Sequence, residues 1–176
     1  METEELQKVA ENAGGFAVLA DFYALAEMYS LVAMRFHRHL DKSGRPYVEH
    51  CYHVANALRP YGMTLQAIGC GHDLIEDTHT TYQELYSMGF SDEIVDGIRC
   101  VTKVPGESKE EYRAKVISND RAILVKIEDI DHNSDLRRLK GVRPKDFERH
   151  VEYMEFSHIL QVAAKERNLY GKYRIV

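Results

Sequence analysis

The run His72-Asp73-Leu74-Ile75-Glu76-Asp77 places four ionisable side chains within six residues. On a helix His72 lies one turn from Glu76, and Asp73 one turn from Asp77, so each pair shares a face. The stretch just upstream mixes Leu65 and Ile68 with Ala67, Gly69, Cys70 and Gly71 and reads as buried, where uncompensated charge is costly. A divalent cation would offset it. Imidazole nitrogen with carboxylate oxygen suits Mn²⁺, Fe²⁺ or Zn²⁺, and the lack of paired thiolates argues against a structural zinc site. The bland alternative is a charged helix end, with Glu76 and Asp77 solvated and His72 a core histidine. Context favours the cation. His50 stands 22 positions upstream in a preceding helical segment, and Asp129 interrupts the apolar run from Ile123 to Ile130. Lys126, Asp129 and Asn133 follow one another at steps of three and four, on one stripe of a helix.

The elements that must hold these residues all read as helices. Val18, Phe22, Leu25, Tyr29, Val32, Phe36 and Leu40 recur at helical steps and predict one long apolar face, with Gly14-Gly15 separating it from a short N-terminal helix. Lys42 to Pro46 is a loop, and Pro46 suits the first turn of a helix through Tyr47, Val54 and Leu58 that ends at Pro60 and Gly62. Thr64 to about Glu76 reads as one buried helix whose small residues let neighbouring backbones come close. Further helices are predicted over Thr81–Met88, Asp92–Val101, Lys109–Ser118, Arg121–Leu139 and Lys145–Arg167. Period-two alternation is almost absent. The fold class is therefore all-α, a helical bundle in a single domain over residues 1–176.

Composition narrows the function. The 44% hydrophobic and 29% charged content is that of a folded globular chain. A net charge of −5 argues against a nucleic-acid partner, so an anionic ligand needs a local basic patch or a metal. Three cysteines, Cys51, Cys70 and Cys100, without CxxC spacing or a signal peptide, point to a cytoplasmic chain without a disulfide framework. Asp21, Glu27, Arg35, His37 and Arg38 interrupt the most apolar stretch, Phe16 to Leu40, so no membrane span is expected. Oligomeric state is left open.

His50, His72-Asp73 and Asp129 reproduce the ordered pattern His, His-Asp, Asp of the HD-domain phosphohydrolases. The strings Lys42-Ser43-Gly44-Arg45-Pro46-Tyr47-Val48-Glu49-His50, His72-Asp73-Leu74-Ile75-Glu76-Asp77-Thr78, Val101-Thr102-Lys103 and Val125-Lys126-Ile127-Glu128-Asp129-Ile130-Asp131-His132-Asn133 resemble, in order and spacing, the hydrolase domain of the Rel/Spo (p)ppGpp enzymes. The resemblance covers roughly residues 30–140. It implies an HD-domain bundle that removes the 3′-pyrophosphate of guanosine tetra- or pentaphosphate with Mn²⁺. The length suggests a stand-alone small hydrolase, related to the metazoan SpoT homologues. By this resemblance His50, His72, Asp73 and Asp129 hold the metal, and Glu76 and Asp77 orient or deprotonate the attacking water. Lys42, Ser43, Lys126 and Asn133, with Thr78 as a further candidate, contact the nucleotide. Lys126 also has a case of its own, because a lysine inside an apolar run needs a partner, either Asp129 or a substrate phosphate.

The pattern departs from the family at three positions. Asp41 stands where an arginine usually precedes the loop lysine, and a carboxylate there would repel a phosphate and offers no planar cation to a base. Cys51 replaces a frequent proline and Ile130 a frequent arginine. These departures keep open a related hydrolase for another nucleotide (an adenine alarmone, NADPH or a nucleoside 5′-phosphate) and, from a different class, a binding module without turnover. The remaining histidines, His132 included, are read as core or surface residues, with His53 able to approach the site. Arg137, Arg138 and Lys140 are read as a solvated face, with a substrate-attracting rim as the alternative.

Overall fold

A computed structural model describes residues 15–175, so the expected short helix before Gly14 lies outside the described residues. The described chain is helical with no strand, its one β-bridge joining Leu40 to Pro46. The helices are α1 (Gly15–Arg35), α2 (Val48–Ala57), α3 (Met63–Gly71), α4 (Leu74–Asp77), α5 (Tyr82–Ser87), α6 (Asp92–Val101), α7 (Lys109–Ile117), α8 (Asp120–Ser134), α9 (Pro144–Glu166) and α10 (Leu169–Lys172). Short 3₁₀ turns cover Arg59–Tyr61 and Leu136–Arg138.

Local chemistry sets most of the ends. Thr81, Ser91 and Ser108 accept backbone N–H groups at the starts of α5, α6 and α7, and Ser108 closes a capping box with Glu111. Asn119 caps α8, and Pro144 opens α9, where its missing N–H leaves no intrahelical bond unmade.

α3 sits centrally, packed against α1, α2, α6 and α8. Its small residues permit this. A β-carbon added at Gly69 would stand 2.4 Å from Leu58 Cδ1, and one at Gly71 2.6 Å from the Met28 sulfur. Leu65, Ile68 and Leu74 from this stretch join Met28, Val54, Ile98, Ile123 and Leu160 in one continuous core.

Three expectations about elements are corrected. The helix foreseen from Thr64 to Glu76 is broken at His72-Asp73, where Asp73 has ψ near zero and α4 starts afresh. The helix foreseen from Arg121 to Leu139 stops at Ser134; Asp135 is extended and its carboxylate caps the 3₁₀ turn through the Arg137 N–H. The long apolar face of α1 is covered only in its second half. Met28, Leu31 and Val32 are buried, whereas Val18 and Phe22 are 56% and 54% exposed, and Leu40 lies beyond the helix. Length and composition alone would let α1 cross a membrane, but that second half is committed to the core.

Candidate metal centre and active site

Three elements bring their polar residues to one buried point. His50 projects from the first turn of α2, Asp129 from α8, and His72-Asp73 from the break between α3 and α4. On an unbroken helix adjacent side chains diverge by about 100°; the break lets both face the same point. His50 Nε2 lies 3.1 Å from His72 Nε2, 3.4 Å from Asp73 Oδ2 and 3.1 Å from Asp129 Oδ1. His72 Nε2 lies 2.9 Å from Asp73 Oδ2 and 3.4 Å from Asp129 Oδ1. Donor edges of this size belong to a coordination polyhedron with bonds of about 2.0–2.2 Å. His50, His72 and Asp129 are 2–3% exposed, and three neutral or anionic donors this close, out of water, fit a divalent cation.

Each donor residue is also held by a neighbour, and Tyr47 and Asn133 reach the same oxygens, Asp73 Oδ2 and Asp129 Oδ1, that face the histidines. His72 Nδ1 donates to the Gly69 carbonyl at 2.8 Å, the Tyr47 hydroxyl donates to Asp73 at 2.7 Å, and Asp129 receives Lys126 Nζ at 2.7 Å and Asn133 Nδ2 at 2.6 Å. His50 Nδ1 meets His132 Nδ1 at 2.7 Å. Of the two partners considered for Lys126, the structure thus supplies Asp129.

The electrostatics follow from burial opposed by charge. Burial alone would depress both histidines, but Asp73 and Asp129 facing them hold His50 above the usual histidine range and His72 well above it. Burial would conversely raise the two carboxyls; His72 holds Asp73 below the usual range, and Lys126 with the histidines holds Asp129 there. His132, crowded by burial, Arg138 and His50, is pushed down to about 3.

Glu76 and Asp77 occupy α4, one turn past these donors, and keep solvent access. Partial burial, reinforced by the Asp73 charge, raises both carboxyls; the Lys103 backbone N–H, donated to Glu76, opposes the rise. A water held between the donor cluster and Glu76 would have a carboxylate ready to accept its proton.

Beside the cluster is a pocket lined by Lys42, Ser43, Tyr47, Asn133, Arg138, Leu139, Arg149 and Tyr153, together with Asp41 and Asp135. Tyr47 and Asn133 link it directly to Asp73 and Asp129. Three cations and two carboxylates line this pocket, with Arg138 paired to Asp41 and Arg149 to Asp146, so the positive excess offered to an anionic ligand is small and centred on Lys42.

Asp41 does not present a free carboxylate to this pocket. It accepts the Ser43 hydroxyl at 2.5 Å, the Ser43 and Arg45 N–H groups at 2.8 and 2.9 Å, and Arg138 Nη2 at 3.1 Å. Burial would raise it, but these partners hold its carboxyl below the usual range. The Ser43 hydroxyl is thereby committed to Asp41, and the Thr78 hydroxyl to the Leu74 carbonyl. Lys42 remains exposed at the rim.

The sequence did not single out Tyr47, His132, Arg149 or Tyr153. His132 carried a usable signal, since it follows Asp129 by three residues on the same helix. Arg138, read first as a solvated face, instead lines the pocket, a place that depends on the turn after Ser134. His53, expected first as a core or surface residue, stacks on His132 at 4.0 Å between ring centroids and so takes the alternative of approaching the site.

No family model matches the chain. Among curated proteins it is 31% identical over 114 residues to the bifunctional (p)ppGpp synthase/hydrolase SpoT of Escherichia coli, matching 58% of this chain and 16% of that one. The chain thus spans about one-sixth of that relative. It is 34% identical over 98 residues, half of this chain, to the guanosine-3′,5′-bis(diphosphate) 3′-pyrophosphohydrolase of Aquifex aeolicus, of which it covers 14%. To the guanosine-3′,5′-bis(diphosphate) 3′-pyrophosphohydrolase MESH1 of Danio rerio it is 32% identical over 133 residues, covering 70% of this chain and 73% of that protein. A solved structure of a metazoan ortholog of SpoT that hydrolyses ppGpp superposes with a TM-score of 0.63 at 20% identity, over 83% of this chain and 96% of the other, which establishes the shared fold.

Proposed function

Since the chain belongs to the (p)ppGpp hydrolase family that includes SpoT and MESH1, we propose that it is a stand-alone guanosine-3′,5′-bis(diphosphate) 3′-pyrophosphohydrolase, one HD-type domain dependent on Mn²⁺. The observation that carries this reading is the convergence of four donors from three elements beside the pocket that Lys42 lines and a pair of raised carboxyls.

In this reading His50, His72, Asp73 and Asp129 hold one divalent cation. Two imidazoles with two carboxylates suit Mn²⁺, with Zn²⁺ or Fe²⁺ as competing occupants. The bound cation would supply Lewis acidity toward the phosphoryl group and a more acidic water. Glu76 takes the proton of the attacking water, and Asp77, one position on, helps to orient it. Lys42, with Arg138 and Arg149, neutralises nucleotide phosphates. Ser43 shapes the loop that presents Lys42, while Lys126 and Asn133 orient Asp129 and border the substrate. Tyr47 and Tyr153 offer ring surface at the same pocket. Asp41, the residue that spoke against a guanine alarmone, has its charge consumed inside its own loop and by Arg138, which supports retaining ppGpp as substrate. Three unpaired thiols, two of them buried, fit a reducing compartment, and we assign the protein to the cytoplasm.

Incubation of ppGpp with the protein and Mn²⁺, followed by anion-exchange chromatography, is expected to yield GDP and pyrophosphate. Intact ppGpp under these conditions, with orthophosphate released from a different nucleotide, would move the assignment to another HD phosphohydrolase. Intact ppGpp that nevertheless binds would support the non-catalytic reading.

A further inference from the structure

Each residue of the donor cluster has a hydrogen-bond partner outside the cluster, and for three of the four that partner is an amide, hydroxyl, ammonium or backbone carbonyl. His50 is the exception, since its Nδ1 faces another imidazole nitrogen at 2.7 Å. The ring planes of His50 and His132 differ by 14° and their centroids lie 4.9 Å apart. The centroid separation exceeds the nitrogen separation by about one ring diameter, so the two nitrogens point at each other and the rings meet edge to edge. An N–H···N bond of this kind has one donor and one acceptor. The assignment therefore couples the tautomers of both rings.

Only one arrangement suits a cation. If His50 carries its proton on Nε2, an N–H is aimed at His72, Asp73 and Asp129, and the nitrogen has no lone pair to offer there. If His50 carries its proton on Nδ1, Nε2 is free for the metal and His132 Nδ1 must accept. We propose that His132 is a positioning residue that accepts the Nδ1–H of His50 and so fixes the tautomer and ring orientation in which Nε2 faces the other donors. This rests on the metal reading given above.

His132 is held for this task from two sides. It lies three residues after Asp129 on α8, so one helix supplies both a metal donor and the partner of another. The His53 ring, one turn along α2 from His50, covers it at 4.0 Å between centroids with planes 21° apart. Arg138 Nη1 donates to the His132 carbonyl at 2.7 Å, tying the end of α8 to the loop that carries Asp41. Partners of this kind behind metal-bound histidines are typically worth 10–100-fold in metal affinity.

Two variants separate the acceptor from the ring. His132→Phe keeps an aromatic ring against His53 and removes the acceptor. His132→Asn loses the ring but places a carbonyl oxygen near the position of Nδ1. Mn²⁺ affinity, read from the electron paramagnetic resonance signal of free Mn²⁺, is expected to fall about 10–100-fold in His132→Phe and to stay at the wild-type level in His132→Asn. In Zn²⁺-loaded wild-type protein the His50 Nδ1 proton should appear as a downfield, slowly exchanging imidazole signal. Equal affinity in wild type and His132→Phe, or equal loss in both variants with unchanged melting temperatures, overturns the proposal. So does absence of the protected His50 proton in Zn²⁺-loaded wild-type protein, whatever the variants do. Wild-type protein that binds neither Mn²⁺ nor Zn²⁺ overturns the metal reading and this inference with it.

Discussion

At the level of single residues, the division of labour between the buried donors and the two carboxylates one turn beyond them has a kinetic signature. Glu76 must be ionised to accept a proton, and burial with the Asp73 charge raises its carboxyl above the ordinary range. A raised carboxyl keeps its proton to higher pH, so the rate is present above the raised pKa and lost as pH falls through it. A bound Mn²⁺ opposes this rise, so at saturating Mn²⁺ kcat should show an acid limb along which the rate is lost as pH falls through the Glu76 pKa. Glu76→Gln should lower kcat by about 10²–10⁴-fold, abolish that limb and leave Mn²⁺ affinity near wild type; an unchanged limb in the variant would remove Glu76 from the role of base. The residue types needed for this chemistry were legible in sequence. The partners that hold them were less so, because Tyr47 announces itself only through what it touches and His132 only through its spacing from Asp129.

At the level of elements, α3 carries the greatest constraint. It delivers His72 from its last turn and packs against four other helices. Gly69 sits where a methyl group would collide with the Leu58 side chain, which is itself fully buried. Gly69→Ala should destabilise the fold by about 1–3 kcal/mol through overpacking, read as a lowered urea midpoint, and it should weaken Mn²⁺ binding because His72 moves with the helix. A midpoint equal to wild type would show that Leu58 can yield. The small-residue pattern of this helix was readable in sequence, whereas its end was not. His72-Asp73 contains no proline or glycine, and the break there is set by the need of two adjacent polar side chains to reach one buried point. The same holds for α8. Its apolar run ends without a glycine, and Asp135 caps the following turn by accepting the Arg137 N–H.

Across the whole molecule, a cation bound to residues from α2, α8 and the α3–α4 break cross-links the core and should couple metal occupancy to global stability. Mn²⁺ at about one hundred times its Kd should add about 2.7 kcal/mol, raising the melting temperature by about 5–10 °C for a chain of this size. Chelation should reverse the shift, and a melting temperature indifferent to Mn²⁺, Zn²⁺ and chelator would count against any ion at this point. The sequence by itself determined the all-α class, most helix positions and the residue types of the candidate centre, because helical periodicity, capping residues and ordered motifs are local signals. Only the tertiary structure decided three matters. Among the described residues the first half of the α1 apolar face has little cover, since coverage depends on which helices pack there. Asp41 turns from a charge set against the substrate into the anchor of its own loop and of Arg138, because its partners come from as far away as residue 138. His132 becomes the partner of His50, because a hydrogen bond between residues 82 positions apart exists only once α2 and α8 are packed together.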